Sequence, residues 1–498
     1  MTGRYYGSIF SGFGNLQKGL ATFGNVLRDA GYATFVGGKW QLRSSNRNIP
    51  KGQTPEMAGF DDYLVYKLQR KGFPKPDKEM RYYNPTLYSS ADGGAPTTYP
   101  GAFGPDVVND AVLAFLDAQK DADEPFFLYY PMLLPHKAGS DEEVAAAAEA
   151  GKASFKGYVE VPKAGPEGRP TDAKEAFKGM VEYMDSLVGN VLDRLEALGL
   201  ADDTLVLFLG DNGTNGGIES AIATGPAAKA MRRARMAAAG SNGTHDGNAS
   251  SVVAAAGPGE DPSGTLAAVP GASEVNGEKG GTLRAATHVP FLARWPGRIP
   301  GGSVNDQIVD ISQVLPTLVE VAGAAPPKKL DGTSLMPHLR DPALEGKEWA
   351  YISYVPRKES VQDPQASVWA FTRDYKLYDK VQGTYLVGGK GEKKKLKKKE
   401  KKAMKKKAKK KEKSKKMGES KLTEGKGTGF FNTRVDPLER KPLKKRELTS
   451  EEWRIHDLLK AVLKRNGHLE GCTDRGAANF ERNADRADPG ACMEAPTG

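Results

Sequence analysis

The residues best suited to chemistry are two lysines, a histidine and an adjacent aspartate and asparagine. Asp211 and Asn212 end the stretch 204-TLVLFLGDNGTN-215, an apolar run that stops at Gly210. A carboxylate and an amide are hard oxygen donors, the kind taken by Ca²⁺ or Mg²⁺. Lys39 lies near the end of 32-YATFVGGKWQL-42, and His136 follows Pro135 just past 125-PFFLYYPML-133. Lys279 lies in a glycine-rich loop before VPFLARW (289–295). A lysine offers a point charge with three donors. Together these groups suit a compact oxyanion, and they could neutralise charge developing on a sulfate or phosphate ester in the transition state. Taken singly, each has a plainer explanation. Asp-Asn and Asn-Gly are common turn residues, a lysine after a strand is usually a solvated charge, and a histidine after proline is usually a loop residue.

These groups need elements to carry them. Helical apolar spacing marks residues 16–30, ended by Gly31, and 106–119, with Asp106 as an N-cap after Pro105. Residues 174–198 place Met180, Met184, Leu187, Val191, Leu195 and Leu198 on one stripe, ended by Gly199. Asp310 caps a helix over 311–323, kinked or started at Pro316. The strands ending near Lys39, His136 and Asp211 each follow a helix. That order predicts a doubly wound sheet, with 204–209 a buried parallel strand and the strand ends on one edge, where open α/β sheets bind ligands. The five side chains are expected to meet around one anion-sized hollow.

The fold class expected is α/β: a large mixed, mostly parallel sheet flanked by helices, with a smaller C-terminal antiparallel sheet. The latter is read from WAYISYV (349–355), SVWAFTRD (367–374), YKLYDK (375–380) and FFNTRVDPLERKPL (430–443). The domains are 1–345, 346–450, and a short helix with a polar tail over 451–498. Residues 47–105 read as long surface connections with one apolar island, GFDDYLVYKL (59–68), and 138–173 as loop. Residues 217–276 hold no aromatic residue and read as a flexible insertion.

The formal charge of +10 belongs to one segment. Residues 390–417 hold 18 Lys against three Glu, a net +15, which leaves −5 for the rest of the chain. Such a run repels itself and stays solvated. It can contact polyanions without specificity, and it has no aromatic residue to stack nucleic-acid bases. No apolar run is long enough to cross a membrane. Cys472 and Cys492 are too few for a disulfide framework. Sequons at Asn212, Asn242 and Asn248 carry little weight. No basic and apolar leader is visible at the start, so compartment stays open.

Several short stretches match one family in order. MTGRY (1–5) resembles the segment after a sulfatase nucleophile signature, and GYATFVGGKWQL (31–42) the second signature. PFFLYYPMLLPH (125–136), GDNGTN (210–215) and KGGTLRAATHVPFLARWPGRIP (279–300) resemble the histidine strand, the metal turn and the second lysine loop. DISQVLPTLVEVAGA (310–324), LDGTSLMPHL (330–339) and VDPLE (435–439) complete the pattern. The chain thus resembles formylglycine-dependent sulfatases of the arylsulfatase type, in the alkaline-phosphatase-like superfamily, from residue 1 to about residue 445 outside the two insertions.

The resemblance implies that Asp211 and Asn212 bind a divalent cation, Ca²⁺ or else Mg²⁺. It implies that Lys39 and Lys279 hold sulfate oxygens and that His136 is the general acid. Gln41 stands where many members have His; it can donate a hydrogen bond but not titrate. His288 stands where others often have Arg, and both positions are expected to contact substrate. The implied substrate is a sulfated small molecule or polysaccharide.

The family's nucleophile, a C/S-x-P-x-R motif converted to formylglycine, belongs just before TGRY, where only Met1 stands. The usual first-strand Asp pair is missing too. The expectation is a truncated or mis-started reading, inactive as written, with a non-catalytic sulfated-glycan-binding protein as the alternative. A phosphatase of the same superfamily would need a Ser/Thr nucleophile and more metal-binding His than the six present.

Overall fold

The computed structural model describes residues 1–5, 14–43, 52–68, 80–138, 172–214, 279–354, 367–379, 429–436, 439 and 441–466, with short pieces at 154–155, 158–162, 219–223, 272–276, 470–471 and 486–487. The lysine run, both cysteines and most of 217–276 lie outside them. At the two ends of that insertion, Glu219–Ala223 pairs antiparallel with Ala272–Asn276.

The main sheet is built around strand β1 (Ala33–Lys39). It pairs in parallel with β2 (Asp62–Tyr66) on one side and with β5 (Phe126–Tyr129) on the other. Strands β3 (Thr86–Ser89) and β4 (Pro96–Thr98) add antiparallel beyond β2. The period of two along a strand sends neighbouring side chains to opposite faces. Phe35 accordingly packs with Val108 and Val112 of helix α2 (Gly104–Ala118). Val36 packs with Phe23 and Val26 of helix α1 (Phe23–Asp29) on the other face. Both faces are covered, and β1 is buried continuously from Thr34 to Gly38.

Helix α3 (Ala173–Ala197) is capped by Asp172, whose carboxylate accepts from the Lys174 and Glu175 amides. Met180, Leu187 and Leu195 on its stripe are buried. Strand β6 (Val206–Leu209) follows and pairs antiparallel with β7 (Phe291–Arg294). Helix α4 (Val314–Ala322) lies across the α1 side, with Leu315 and Val319 in that core. A second antiparallel sheet comprises β8 (Ala350–Tyr354), β9 (Ser367–Phe371), β10 (Tyr375–Tyr378) and β11 (Phe430–Asn432), in that order. Helix α5 (Ser450–Asn466) packs Ile455, Leu459, Val462 and Leu463 onto its Tyr351, Ala370, Leu377 and Phe430. The helix expected at the head of the tail therefore forms half of this subdomain's core.

Four expectations need correction. Strand 206–209 is antiparallel to its partner, and all four of its residues are half-buried rather than enclosed. An apolar run reports burial but not the direction of its neighbour. Residues 47–105 are not mere surface connections, since they supply β2, β3 and β4. Their core is rich in tyrosine, several with bonded hydroxyls: Tyr63 donates to Glu56 at 2.8 Å and Tyr83 to the Glu160 carbonyl at 2.7 Å, whereas the buried Tyr66 hydroxyl finds no partner among the described residues. A tyrosine with a satisfied hydroxyl is core material, which disguised these strands. Asp106 is not a cap; Phe103 occupies that position, and Asp106 accepts from the Tyr183 hydroxyl at 2.6 Å. The first helix starts only at Phe23, after the Thr22–Asn25 capping box.

Candidate functional site

Lys39 is the last residue of β1, and its position depends on Gly38. There the backbone φ is +123°, and a Cβ would sit 2.3 Å from the Pro131 carbonyl oxygen. Only glycine takes that conformation at that approach without strain. The close approach lets the Lys39 amide donate to the same carbonyl at 2.8 Å. The segment past β5 is thereby fixed beside Lys39, and His136 lies five residues on.

His136 is half-buried. Its amide donates to the Leu133 carbonyl at 2.9 Å, after a cis Leu134–Pro135 peptide. The Tyr82 hydroxyl donates to the His136 backbone carbonyl. Its Nδ1 lies 2.6 Å from the Lys137 carbonyl, an acceptor only, so Nδ1 carries the proton and Nε2 is free to exchange one.

The turn 210–214 and the loop 279–290 are joined by backbone bonds. Lys279 donates to Thr214 at 2.9 Å, Gly213 to Ala286 at 2.9 Å, and Gly210 to Pro290 at 3.1 Å. These bonds extend the β6–β7 pairing past Asp211 and carry Lys279 to the turn.

The electrostatics record which of these side chains act on one another. Burial lowers the Lys39 pKa, Asp211 opposes that shift, and Lys279, Arg81 and Lys67 add to it. Burial, then the Lys279 charge, bring His136 down to about 4; Lys39 and Arg81 push the same way, against the Lys137 carbonyl. Burial and the Asp211 carboxylate raise the Tyr129 hydroxyl to about 12. Lys39, His136, Asp211 and Lys279 therefore share one field, with Asn212 next in the chain. At neutral pH His136 is uncharged among three cations, an arrangement that favours an incoming anion.

Two other residues were singled out in the sequence. Gln41 has a left-handed φ of 45° and packs its carbonyl against Gly14. No described hydrogen bond joins it to the lysines or His136. His288 follows the short helix Arg284–Thr287; desolvation of its ring by the surrounding atoms, then the Arg284 charge, lowers its pKa. Two other cations were not singled out. Arg81 is only 5 % exposed, and Lys67 follows β2 with a φ of 57°. Both lie in the stretch taken for surface connection, and no motif or spacing in the sequence marks them.

As a cation site the described residues are incomplete. Asp211 and Asn212 supply two oxygen donors, whereas Ca²⁺ takes six to eight. Among the described residues no group of three or more His, Cys, Asp or Glu side chains gathers. The donor set thus does not fit a full coordination shell. Elsewhere a polar cleft of about 210 Å³ runs between Gln307 and Tyr375. Its charges pair among themselves, as in Arg454–Glu348 at 2.9 Å and Arg373–Asp306 at 3.6 Å, so it is a weaker candidate for an anion.

Residues 1–324 match the sulfatase family model, and residues 282–417 match the model of the N-sulphoglucosamine sulphohydrolase C-terminal region. The chain is 26 % identical to canine N-acetylgalactosamine-6-sulfatase over 330 residues, covering 63 % of this chain and 47 % of that protein. It is 26 % identical to human arylsulfatase A over 367 residues, covering 68 % and 55 %. The chain thus spans about half the length of the curated relatives it matches. Among solved structures, a protein in complex with its substrate D-glucosamine-2-N,6-O-disulfate aligns with a TM-score of 0.53 at 16 % identity, over 93 % of this chain and 90 % of that one. The PsFucS1 sulfatase from Pseudoalteromonas sp. aligns at 0.52 and 16 % identity, over 93 % and 79 %. At that identity the likeness speaks for the fold, a mixed sheet flanked by helices with a small antiparallel sheet. Sulfatases are sulfuric ester hydrolases that generally use a divalent cation and formylglycine. With the family model covering residues 1–324, this chain belongs to the sulfatase family.

Proposed function

We propose that this chain binds the sulfate group of a sulfate ester between Lys39 and Lys279, with His136 at the bridging oxygen. The supporting observation is the convergence of cations on an uncharged histidine: Lys39, Lys279 and Arg81 all act on His136. Lysine ammoniums give charge-assisted bonds to the non-bridging oxygens. His136, with Nδ1 committed to the Lys137 carbonyl, serves through Nε2. A bound sulfate offsets the two lysine charges, raises the imidazole pKa and makes it a proton donor to the departing alcohol. Arg81 adds charge behind this pair.

The substrate class is a sulfated sugar or another sulfated small molecule. A relative named for N-acetylgalactosamine-6-sulfate and a fold neighbour holding a disulfated glucosamine support that reading. Residues 390–417, outside the described structure, would add a non-specific contact to a polyanionic chain. Asp211 and Asn212 are the positions for a cation, but two donors do not make a shell.

The test is a calorimetric titration of the full chain with inorganic sulfate and with glucosamine 6-sulfate. Binding is expected, with Lys39→Ala and Lys279→Ala each weakening it by about tenfold to a hundredfold, the worth of a bond to a charged group. Equal affinity in the double variant would overturn the site.

A further inference from the structure

We infer that Lys376, Glu439 and Tyr378 of the C-terminal sheet are positioning residues for Lys279, and that this sheet sets the affinity of the sulfate site. The inference rests on the proposed role of Lys279.

The contacts concentrate on one short stretch. The Lys376 ammonium donates to the backbone carbonyl of Thr282, three residues past Lys279, and to Glu439 at 2.8 Å. The Tyr378 hydroxyl donates to the other Glu439 oxygen at 2.5 Å and is bonded at 2.9 Å to Thr282 Oγ1. The Lys376 charge also lies over the Trp369 ring, 5.1 Å from its centre. Lys376, Glu439 and Thr282 are 3 %, 5 % and 7 % exposed. Nearer the lysine, Gly280 has a φ of +87°, and a Cβ there would meet the Tyr354 hydroxyl at 3.0 Å. The C-terminal sheet thus lies close beside the loop at Gly280 and holds it at Thr282, while the Lys279 amide is tied to Thr214.

A buried ion pair is a poor choice if stability is the only aim, since apolar residues of similar size usually serve as well or better. What it offers is direction: one ammonium geometry satisfies both the carboxylate and the Thr282 carbonyl. Glu439 itself keeps a left-handed φ of 52°, a conformation that costs energy in a residue with a Cβ and persists where the surroundings over-determine it. The backbone at 280–282 is thereby fixed from the far domain. The exposed Lys279 side chain then starts from a set origin, and less freedom is lost when it closes on an anion.

The experiment compares Tyr378→Phe and Glu439→Gln with the unmodified full chain by hydrogen exchange and by titration with inorganic sulfate. Tyr378→Phe keeps the ring and deletes only the hydroxyl bonds, so it carries the test if Glu439→Gln does not fold. Faster exchange, by about fivefold or more, is expected in peptides spanning 279–288. Exchange in 367–371 should stay unchanged, and sulfate affinity should fall by a similar factor. Faster exchange confined to 367–378, with 279–288 and sulfate affinity untouched, would reduce the network to a support for its own sheet and overturn the inference. If the unmodified chain binds no sulfate, the proposed function fails by itself, and the exchange of 279–288 still decides whether the clamp exists.

Discussion

His136 is the residue whose chemistry the structure changes most. An isolated imidazole titrates near pH 6.5; here burial and the Lys279 charge bring it to about 4. Between those values the unfolded chain binds a proton that the folded chain refuses, so stability falls as pH drops through that window. His136→Gln is expected to flatten that part of the stability profile, read from urea midpoints at pH 4.5 and 7. Anion binding has the opposite sign. Sulfate favours the protonated ring, so its affinity should rise as pH falls from about 6.5 towards 4, with proton uptake visible in buffers of different ionisation heat. Unchanged proton uptake in His136→Gln would assign the linkage to another group. Arg81 belongs at this scale as well. Its charge reaches both Lys39 and His136, and Arg81→Met should weaken sulfate binding less than either lysine variant while raising the His136 pKa.

Among the elements, β1 carries the most of the site. Its glycine pair lets Lys39 bond to the Pro131 carbonyl and brings the histidine loop alongside. Gly38→Ala forces a Cβ to within 2.3 Å of that oxygen at a φ of +123°. A loss of about 2–4 kcal/mol is expected from strain of this kind, together with weaker sulfate binding because Lys39 and His136 separate. Urea denaturation and calorimetry on the same variant measure both effects. A variant as stable as the parent would mean that the Gly38–Pro131 contact does not hold the strand end. The turn 210–214 depends instead on its backbone bonds to 279–290, so the β6–β7 pair, although only four residues long, delivers both Asp211 and Lys279.

For the whole molecule the relevant fact is the division of labour between the two sheets. The main sheet presents Lys39 and His136; the C-terminal sheet, with α5 behind it, grips the loop of Lys279. Leu459 of that helix is fully buried against Phe430 and Leu377. Leu459→Ala is expected to cost about 2–5 kcal/mol, and a loosened C-terminal core should reach the sulfate site through Thr282. Denaturant curves and sulfate affinity should therefore move together in this variant, although Leu459 is no part of the site. A shift in stability with unaltered affinity would separate the two halves.

Local pattern settled much of this in advance. The stripe of α3, its end at Gly199, and the placing of Lys39 at a strand end are short-range properties of periodicity and punctuation, and the order of short motifs pointed to the family. What pattern could not settle was pairing. Whether 206–209 runs with or against its neighbour is decided by a strand 80 positions away, and the tyrosine-rich β2–β4 region looked like loop until bonded hydroxyls made it core. The electrostatic reach of Lys279 to Lys39, 240 positions apart, the hidden charge of Arg81, and the grip of Lys376 and Glu439 on Thr282 exist only in the folded chain. Burial and electrostatic reach depend on distance in space, and distance along the chain carries almost none of that information.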